Sequence, residues 1–330
     1  MNVSIIGDGG WGTALGLGLS RGGHQISLWS HDPTYAQRMI AERKNPLFLR
    51  GFDLPADWKI TSDPAEAVAG ADAVVIAIPS KFYRTTLKKF ARIIPPLADV
   101  VSVTKGLDQE THERMTVVAE KVLEHKPVAA LSGPSLAEEA AKGIPTAVTI
   151  ACADHDAAVR LQKLFNSPSF RVYTGDDVIG VEIGGALKNV IAIAAGISDG
   201  LGYGDNSKAA LVTRGLAEIV RIGTAMGGRP ETFAGLSGVG DLMVTCTSRL
   251  SRNRGVGERL GRGEKMADIL GGMQQVAEGV WTCRAARDLA KETGIQLPIT
   301  DQVYAMCHEG KDPRLAVGEL MSRDPKPEKH

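Results

Sequence analysis

Cysteine is scarce in this chain, with only Cys152, Cys246, Cys283 and Cys307 in 330 residues and no Cys-x-x-Cys pair. That spacing argues against a disulfide scaffold and predicts buried, free thiols in a reducing compartment. A metal site is not expected either: no His-Glu-x-x-His occurs, and the seven histidines have no useful spacing with cysteines or carboxylates. Thirty-eight basic residues balance thirty-eight acidic ones. No net field then draws the protein to nucleic acid or to an anionic membrane, and any bound anion needs a local cluster. No Gly-x-Ser-x-Gly elbow stands between a strand and a helix, its two occurrences at 18–22 and 196–200 falling on helical patterns, and Gly-x4-Gly-Lys-Ser/Thr is missing, which argues against serine hydrolase and P-loop chemistry. Strand-like sequence begins by Val3 without a basic leader, and no uninterrupted apolar run looks long enough to cross a bilayer. The expectation is a cytoplasmic protein without stable membrane insertion. There is no internal repeat or low-complexity segment.

What is present is ordinary for a soluble globular chain, at 43% hydrophobic and 23% charged, and its length suggests two domains. The most informative stretch is Gly7-Asp8-Gly9-Gly10-Trp11-Gly12, lying between the apolar run Val3–Ile6 and the helical pattern Thr13–Ser20. It reads as a dinucleotide-binding turn. Gly7 permits the sharp turn, Gly9 lets backbone N–H groups approach a pyrophosphate, and Gly12 allows close helix–strand packing. With the following strand Gln25–Trp29 it completes a unit of about thirty residues. Asp32 lies about twenty residues beyond Gly12, where an acid can accept a ribose hydroxyl.

Strand-like runs recur between helical patterns at Asp72–Ile78, Val100–Thr104, Val128–Leu131, Ala147–Ala151 and Phe170–Tyr173. Runs that are apolar on both faces, separated by helices such as Thr111–His125 and Asp154–Asn166, predict a mainly parallel α/β sheet covered on both sides. Beyond about residue 176 the strand signals fade and helical patterns dominate, so an all-helical second domain is expected. The predicted division is 1–180 and 181–330, with Asp324–His330 a frayed tail.

Val178–Ile197 is apolar nearly all round, with only Glu182 and Lys188 charged. Such a helix is buried, so Lys188 must pair with an anion, snorkel outward or have a lowered pKa. Gly184, one turn earlier, is expected to leave room beside the amine. A Lys188–Glu182 contact is the plainer alternative, although six positions is poor helical spacing. Lys105 follows a strand and precedes Gly106, which suits a ligand crevice or an ordinary surface lysine equally. Ser132-Gly-Pro-Ser135 ends another strand, so Gly133 and Ser135 can meet a ligand, or Ser135 can cap a helix. Two segments read as loops, Gly235–Asp241 and Ser251–Gly255. The second presents a hydroxyl, a guanidinium and an amide suited to a phosphate, but Arg249, Arg254, Arg259 and Arg262 equally suggest a solvated basic face.

Taken in order along nearly the whole chain, Gly7–Leu15, Val103–Leu107, Leu131–Ser135, Leu187–Val190, Leu236–Leu242 and Ser251–Arg254 resemble the bacterial NAD(P)-dependent glycerol-3-phosphate dehydrogenases. The resemblance implies a Rossmann-type domain followed by a helical one, with the active site between them. It implies reversible reduction of dihydroxyacetone phosphate by NADH or NADPH to sn-glycerol 3-phosphate for phospholipid synthesis. Lys188 would be the proton donor and acceptor, and Lys105 would touch both substrate and cofactor. Gly133, Ser135, Asp241, Ser251, Arg252 and Asn253 would surround glycerol phosphate, with Arg252 also reaching the cofactor. Gly10, Trp11, His31, Ala137, Val276 and Glu278 match cofactor-contact positions, and a homodimer is implied. Asp8 and Gly10 depart from the Ala and Ser common in that family, and His31 stands where the family meets a 2′-phosphate. Both cofactors are therefore expected to bind. Other readings of the same architecture are a dehydrogenase of another small hydroxy acid or opine, and a non-enzymatic NAD(H) sensor.

Overall fold

A computed structural model describes residues 1–328 except 126, 274 and 326. The expected tail Asp324–His330 thus falls partly outside the described residues; those of it that are described form no helix or strand. Strands and helices alternate as far as Gly175, after which every described element is helical. The strands are β1 (Asn2–Ile6), β2 (Gln25–Trp29), β3 (Lys44–Asn45), β4 (Leu49–Asp53), β5 (Lys59–Thr61), β6 (Ala73–Ile76), β7 (Asp99–Ser102), β8 (Val128–Ser132), β9 (Thr146–Ala151) and β10 (Phe170–Gly175).

Eight of them form one sheet in the order β10-β9-β8-β7-β6-β1-β2-β5, while β3 and β4 pair as a separate hairpin. All pairings in the large sheet are parallel except β8 with β9. The apolar runs explain its two covered faces. Val3 and Ile5 enter a core shared with the helix Gly10–Arg21, whereas Ile6 enters an opposite core shared with Met115–Leu123. Ile6 is flanked by Trp29 on β2 and by Ile76 on β6. The chain leaves β1 toward one side and returns to β6 on the other, so a topological switch point lies beyond the end of β1.

The short strands β3, β4 and β5 are absent from the sequence expectation because two to five residues carry too little periodicity, and β4 is mostly exposed. The helices Pro33–Glu42 and Pro64–Val68 also lie outside it, although each has a legible start: an Asp cap, Asp32 or Asp63, before proline.

The second lobe is built around the 23-residue helix Val178–Gly200, whose residues 180–198 are all buried. Contrary to expectation, this helix is long and apolar enough to cross a membrane by length and composition, at mean hydropathy 1.6; 89% of that stretch is buried inside the protein. Its apolar surface faces Asp205–Ala225, Asp241–Thr247, Arg252–Gly261 and Glu278–Thr293. Each fully covered Ile, Leu or Val there contributes about 1.5–3 kcal/mol.

Both predicted loops prove to be helical. Leu236–Gly240 is a π turn running directly into Asp241–Thr247. Ser251 caps Arg252–Gly261 by accepting the N–H of Arg254 at 3.2 Å. Glycine misleads here: a Cβ at Gly257 would collide with the carbonyl of Ile193, so the two helices touch backbone to backbone. Three of the four arginines of the supposed basic face are paired, Arg254 with Asp199 and Glu258, Arg259 with Glu264, and Arg262 with Glu258.

Candidate active site

Gly7 has φ +117°, and a Cβ there would lie 2.5 Å from the carbonyl oxygen of Ala77. Only glycine makes this turn without strain. A Cβ at Gly12 would strike the carbonyl of Gly7, whereas one at Gly9 would meet nothing within 4 Å. The first helix therefore begins tight against the turn, with open approach above Gly9. No side chain caps that helix, so its first N–H groups remain available to an anion. The indole N–H of Trp11 is likewise buried without a protein acceptor among the described residues. These groups fit a pyrophosphate.

The two departures in this turn have structural counterparts. At Gly10 a Cβ would stand 2.6 Å from the carbonyl oxygen of Phe48, because the β3–β4 hairpin lies over the turn. The hairpin is tied down by Asn45, whose amide donates to the Asp8 carbonyl at 2.7 Å and to Thr13 Oγ1 at 2.8 Å. The Asp8 side chain points toward the end of β2, where Ser30 donates to it at 2.6 Å.

In the second lobe, Asp241 is 1% exposed and holds two amines. Its Oδ2 is 2.5 Å from Lys105 Nζ and its Oδ1 is 2.7 Å from Lys188 Nζ. Lys105 comes from the loop after β7 and Lys188 from the central helix, so the carboxylate joins the lobes. Lys105 also donates to the carbonyl of Gly133 and to Ser135 Oγ, both at 2.9 Å, which occupies all three of its N–H bonds. Burial pulls the Lys105 pKa down to about 8; Asp241 opposes that shift and Lys188 adds to it. The two ammonium groups and their hydrogen bonds hold the Asp241 carboxyl below its usual value, against the upward push of burial. Lys188 donates to Thr245 Oγ1 at 2.7 Å as well. Of the three fates open to Lys188, pairing with an anion is the one observed. Glu182 pairs elsewhere, with Arg114 Nη1 at 2.6 Å and with the backbone and hydroxyl of Thr116. Gly184 leaves no room for a ligand: a Cβ there would lie 2.7 Å from the carbonyl oxygen of Ser237, whose backbone fills the space.

Gly133 adopts φ +144°, and a Cβ would approach Val148 Cα to 2.9 Å, which accounts for glycine beside Lys105. Asn253 is buried, donates to Asn189 Oδ1 and accepts the N–H of Gly279, both at 2.9 Å. Asn189 in turn donates to the Lys105 carbonyl at 3.2 Å. Asn253 and Ser251 thus each hold a protein partner. Arg252 is exposed and donates to the Val276 carbonyl at 2.9 Å. Glu278 accepts the backbone N–H of Ser80 at 2.9 Å together with its hydroxyl, bridging the lobes. Ala137 opens a short helix next to Gly10, and His31 is exposed beyond β2. Asp32 uses Oδ1 to cap its own helix.

Thr245, Asn189 and Ser80 are absent from the sequence-derived set. A signal existed for Thr245, which sits one turn after Asp241, so both face the same way. Ser80 and Glu278 meet only through tertiary folding.

A glycine turn at a sheet switch point, together with a buried carboxylate shared by lysines from both lobes, defines a two-lobed, dinucleotide-dependent oxidoreductase. Comparison with known proteins gives the family. The pattern described as NAD-dependent glycerol-3-phosphate dehydrogenase N-terminus matches residues 2–158, and its C-terminus counterpart matches 177–318. The glycerol-3-phosphate dehydrogenase [NAD(P)+] of Geobacter metallireducens is 50% identical over 332 residues, covering 99% of this chain and 98% of that one. That of Koribacter versatilis is 50% identical over 329 residues, covering 97% of each. The crystal structure of the Coxiella burnetii glycerol-3-phosphate dehydrogenase is 38% identical with a TM-score of 0.94, over 98% of this chain and 99% of that one. The chain belongs to the NAD-dependent glycerol-3-phosphate dehydrogenase family.

Proposed function

We infer that the chain reduces dihydroxyacetone phosphate to sn-glycerol 3-phosphate with NADH or NADPH, reversibly, and so supplies glycerophospholipid synthesis. One observation carries the reading: Asp241 and Thr245 take two of the three N–H bonds of Lys188 and leave the third for a substrate oxygen. The reduced nicotinamide, when bound, supplies a hydride to the carbonyl carbon. Negative charge then grows on the carbonyl oxygen, where the Lys188 ammonium stabilises it and delivers the proton that completes the alcohol. Asp241 holds the amine aimed. Lys105 orients the Gly133–Ser135 turn against the substrate.

Arg252 commits one N–H to Val276, and the rest of its fork suits the substrate phosphate. Ser251 and Asn253 support it by capping and bracing the helix that presents it. Gly7, Gly9, Gly10, Trp11 and Gly12 receive the pyrophosphate, and His31, Asp32, Ala137, Val276 and Glu278 complete the nucleotide cleft. The proposed division is a nucleotide-binding lobe over 1–180 and a substrate-binding lobe over 181–330. A cytoplasmic homodimer extends the family resemblance. The test monitors NADH and NADPH absorbance with dihydroxyacetone phosphate and with unphosphorylated dihydroxyacetone as acceptors. Oxidation with the phosphorylated ketone and little with the other is expected; equal rates would overturn the substrate assignment.

A further inference from the structure

In dinucleotide-binding sheets the acid that meets the adenosine ribose hydroxyls normally stands at the end of β2, about twenty residues past the glycine turn. Here Ser30 directly follows β2. The nearby acid, Asp32, spends Oδ1 on its own helix, accepting the N–H groups of Thr34 at 2.8 Å and Tyr35 at 3.3 Å. A carboxylate nevertheless reaches the place. Asp8, in the turn after β1, is 6% exposed, and its Oδ2 accepts the Ser30 hydroxyl at 2.6 Å. Its backbone is fixed from behind by Asn45 and Thr13, so the side chain is held toward the β2 end. Burial pushes the Asp8 carboxyl above its usual pKa, the Ser30 hydrogen bond and the neighbouring His31 oppose that shift, and Asp32 adds to it. One imidazole therefore stands against two carboxylates around this corner.

We propose that Asp8 reads the ribose at the β2 end, where Ser30 stands in place of an acid, and makes the chain select the nucleotide with a free 2′-hydroxyl, NAD(H), over its 2′-phosphorylated form. The proposal rests on the dinucleotide site described above and adds a discriminating residue to it. A ribose hydroxyl can donate to the carboxylate or to Ser30. A 2′-phosphate in the same corner meets a like charge, and burial leaves little water to screen it. Discrimination arises from that repulsion as much as from the hydroxyl contact.

Equilibrium titration by reduced-nicotinamide fluorescence tests this without turnover, using NADH and NADPH with the wild-type protein and with Asp8→Asn. Wild type should bind NADH more tightly by about tenfold or more. Asp8→Asn should weaken NADH, tighten NADPH and shift their ratio by about the same factor. An unchanged ratio in the variant, or no preference in the wild type, overturns the proposal. Should the variant fail to fold, competition by ADP-ribose and 2′-phospho-ADP-ribose against NADH on wild type decides: equal or inverted affinities overturn it. Nucleotide binding in the predicted ratio without reduction of dihydroxyacetone phosphate would instead overturn the dehydrogenase reading and leave this one standing.

Discussion

Replacing Asp241 by Asn removes a charge without changing shape. The carboxylate lies 2.5 Å from Lys105 and 2.7 Å from Lys188, and it is 1% exposed. In the variant two ammonium groups would be left facing one another, buried, with no counterion. Breaking a buried pair by removing one partner costs about 3–5 kcal/mol, so the urea midpoint at pH 7 should fall by the equivalent amount. The loss should depend on pH. Lys105 already has its pKa drawn down to about 8 from 10.5 by burial, and Asp241 is the group that holds it up, so the variant's value lies lower still. A lysine whose folded pKa is depressed makes the folded state gain stability as pH rises from the folded value toward the unfolded one. That gain begins at lower pH in the variant and is larger. The gap between the proteins must therefore narrow from pH 7 to about pH 9.5. An unchanged midpoint at pH 7, or a gap that widens with pH, would refute the argument.

Arg252→Ala should raise KM for dihydroxyacetone phosphate by the equivalent of about 1.5–3 kcal/mol, one charge-assisted hydrogen bond, with a smaller effect on kcat; an unchanged KM removes the phosphate role. Gly7→Ala forces a side chain into φ +117° and against the Ala77 carbonyl, so it should cost roughly 1–3 kcal/mol of stability by urea unfolding. Glu218 is buried where it accepts the N–H groups of Ile299 and Thr300, and burial lifts its pKa to about 7. A raised folded pKa stabilises fully below about pH 4.5, the unfolded value, and that stabilisation is lost as pH rises through 7. Glu218→Gln should accordingly flatten the fall in Tm between pH 5 and 8, and an identical slope in both proteins would count against it.

Much of the nucleotide lobe was legible because its signals are local. Gly7, Gly9 and Gly12 stand between a strand and a helix, and the strands of the sheet centre are apolar on both faces, which only a doubly covered sheet satisfies. Lys188 was legible as a charge in a helix that is otherwise apolar. Its counterion was not, because Asp241 approaches from a segment that reads as a glycine-rich loop yet forms a π turn against the central helix. Glycines at 255 and 257 hid the helix Arg252–Gly261 in the same way: residues that weaken a helical pattern in isolation let two backbones touch in the fold. The lobe-bridging contact of Ser80 with Glu278 spans 198 positions and leaves no periodic trace.

The most direct test of the central claim is single-turnover reduction of dihydroxyacetone phosphate by Lys188→Ala with NADH binding measured on the same sample. A loss of roughly 10²–10⁴ in the chemical step with the nucleotide still bound is predicted. Turnover near the wild-type rate would contradict the assignment of the proton to Lys188.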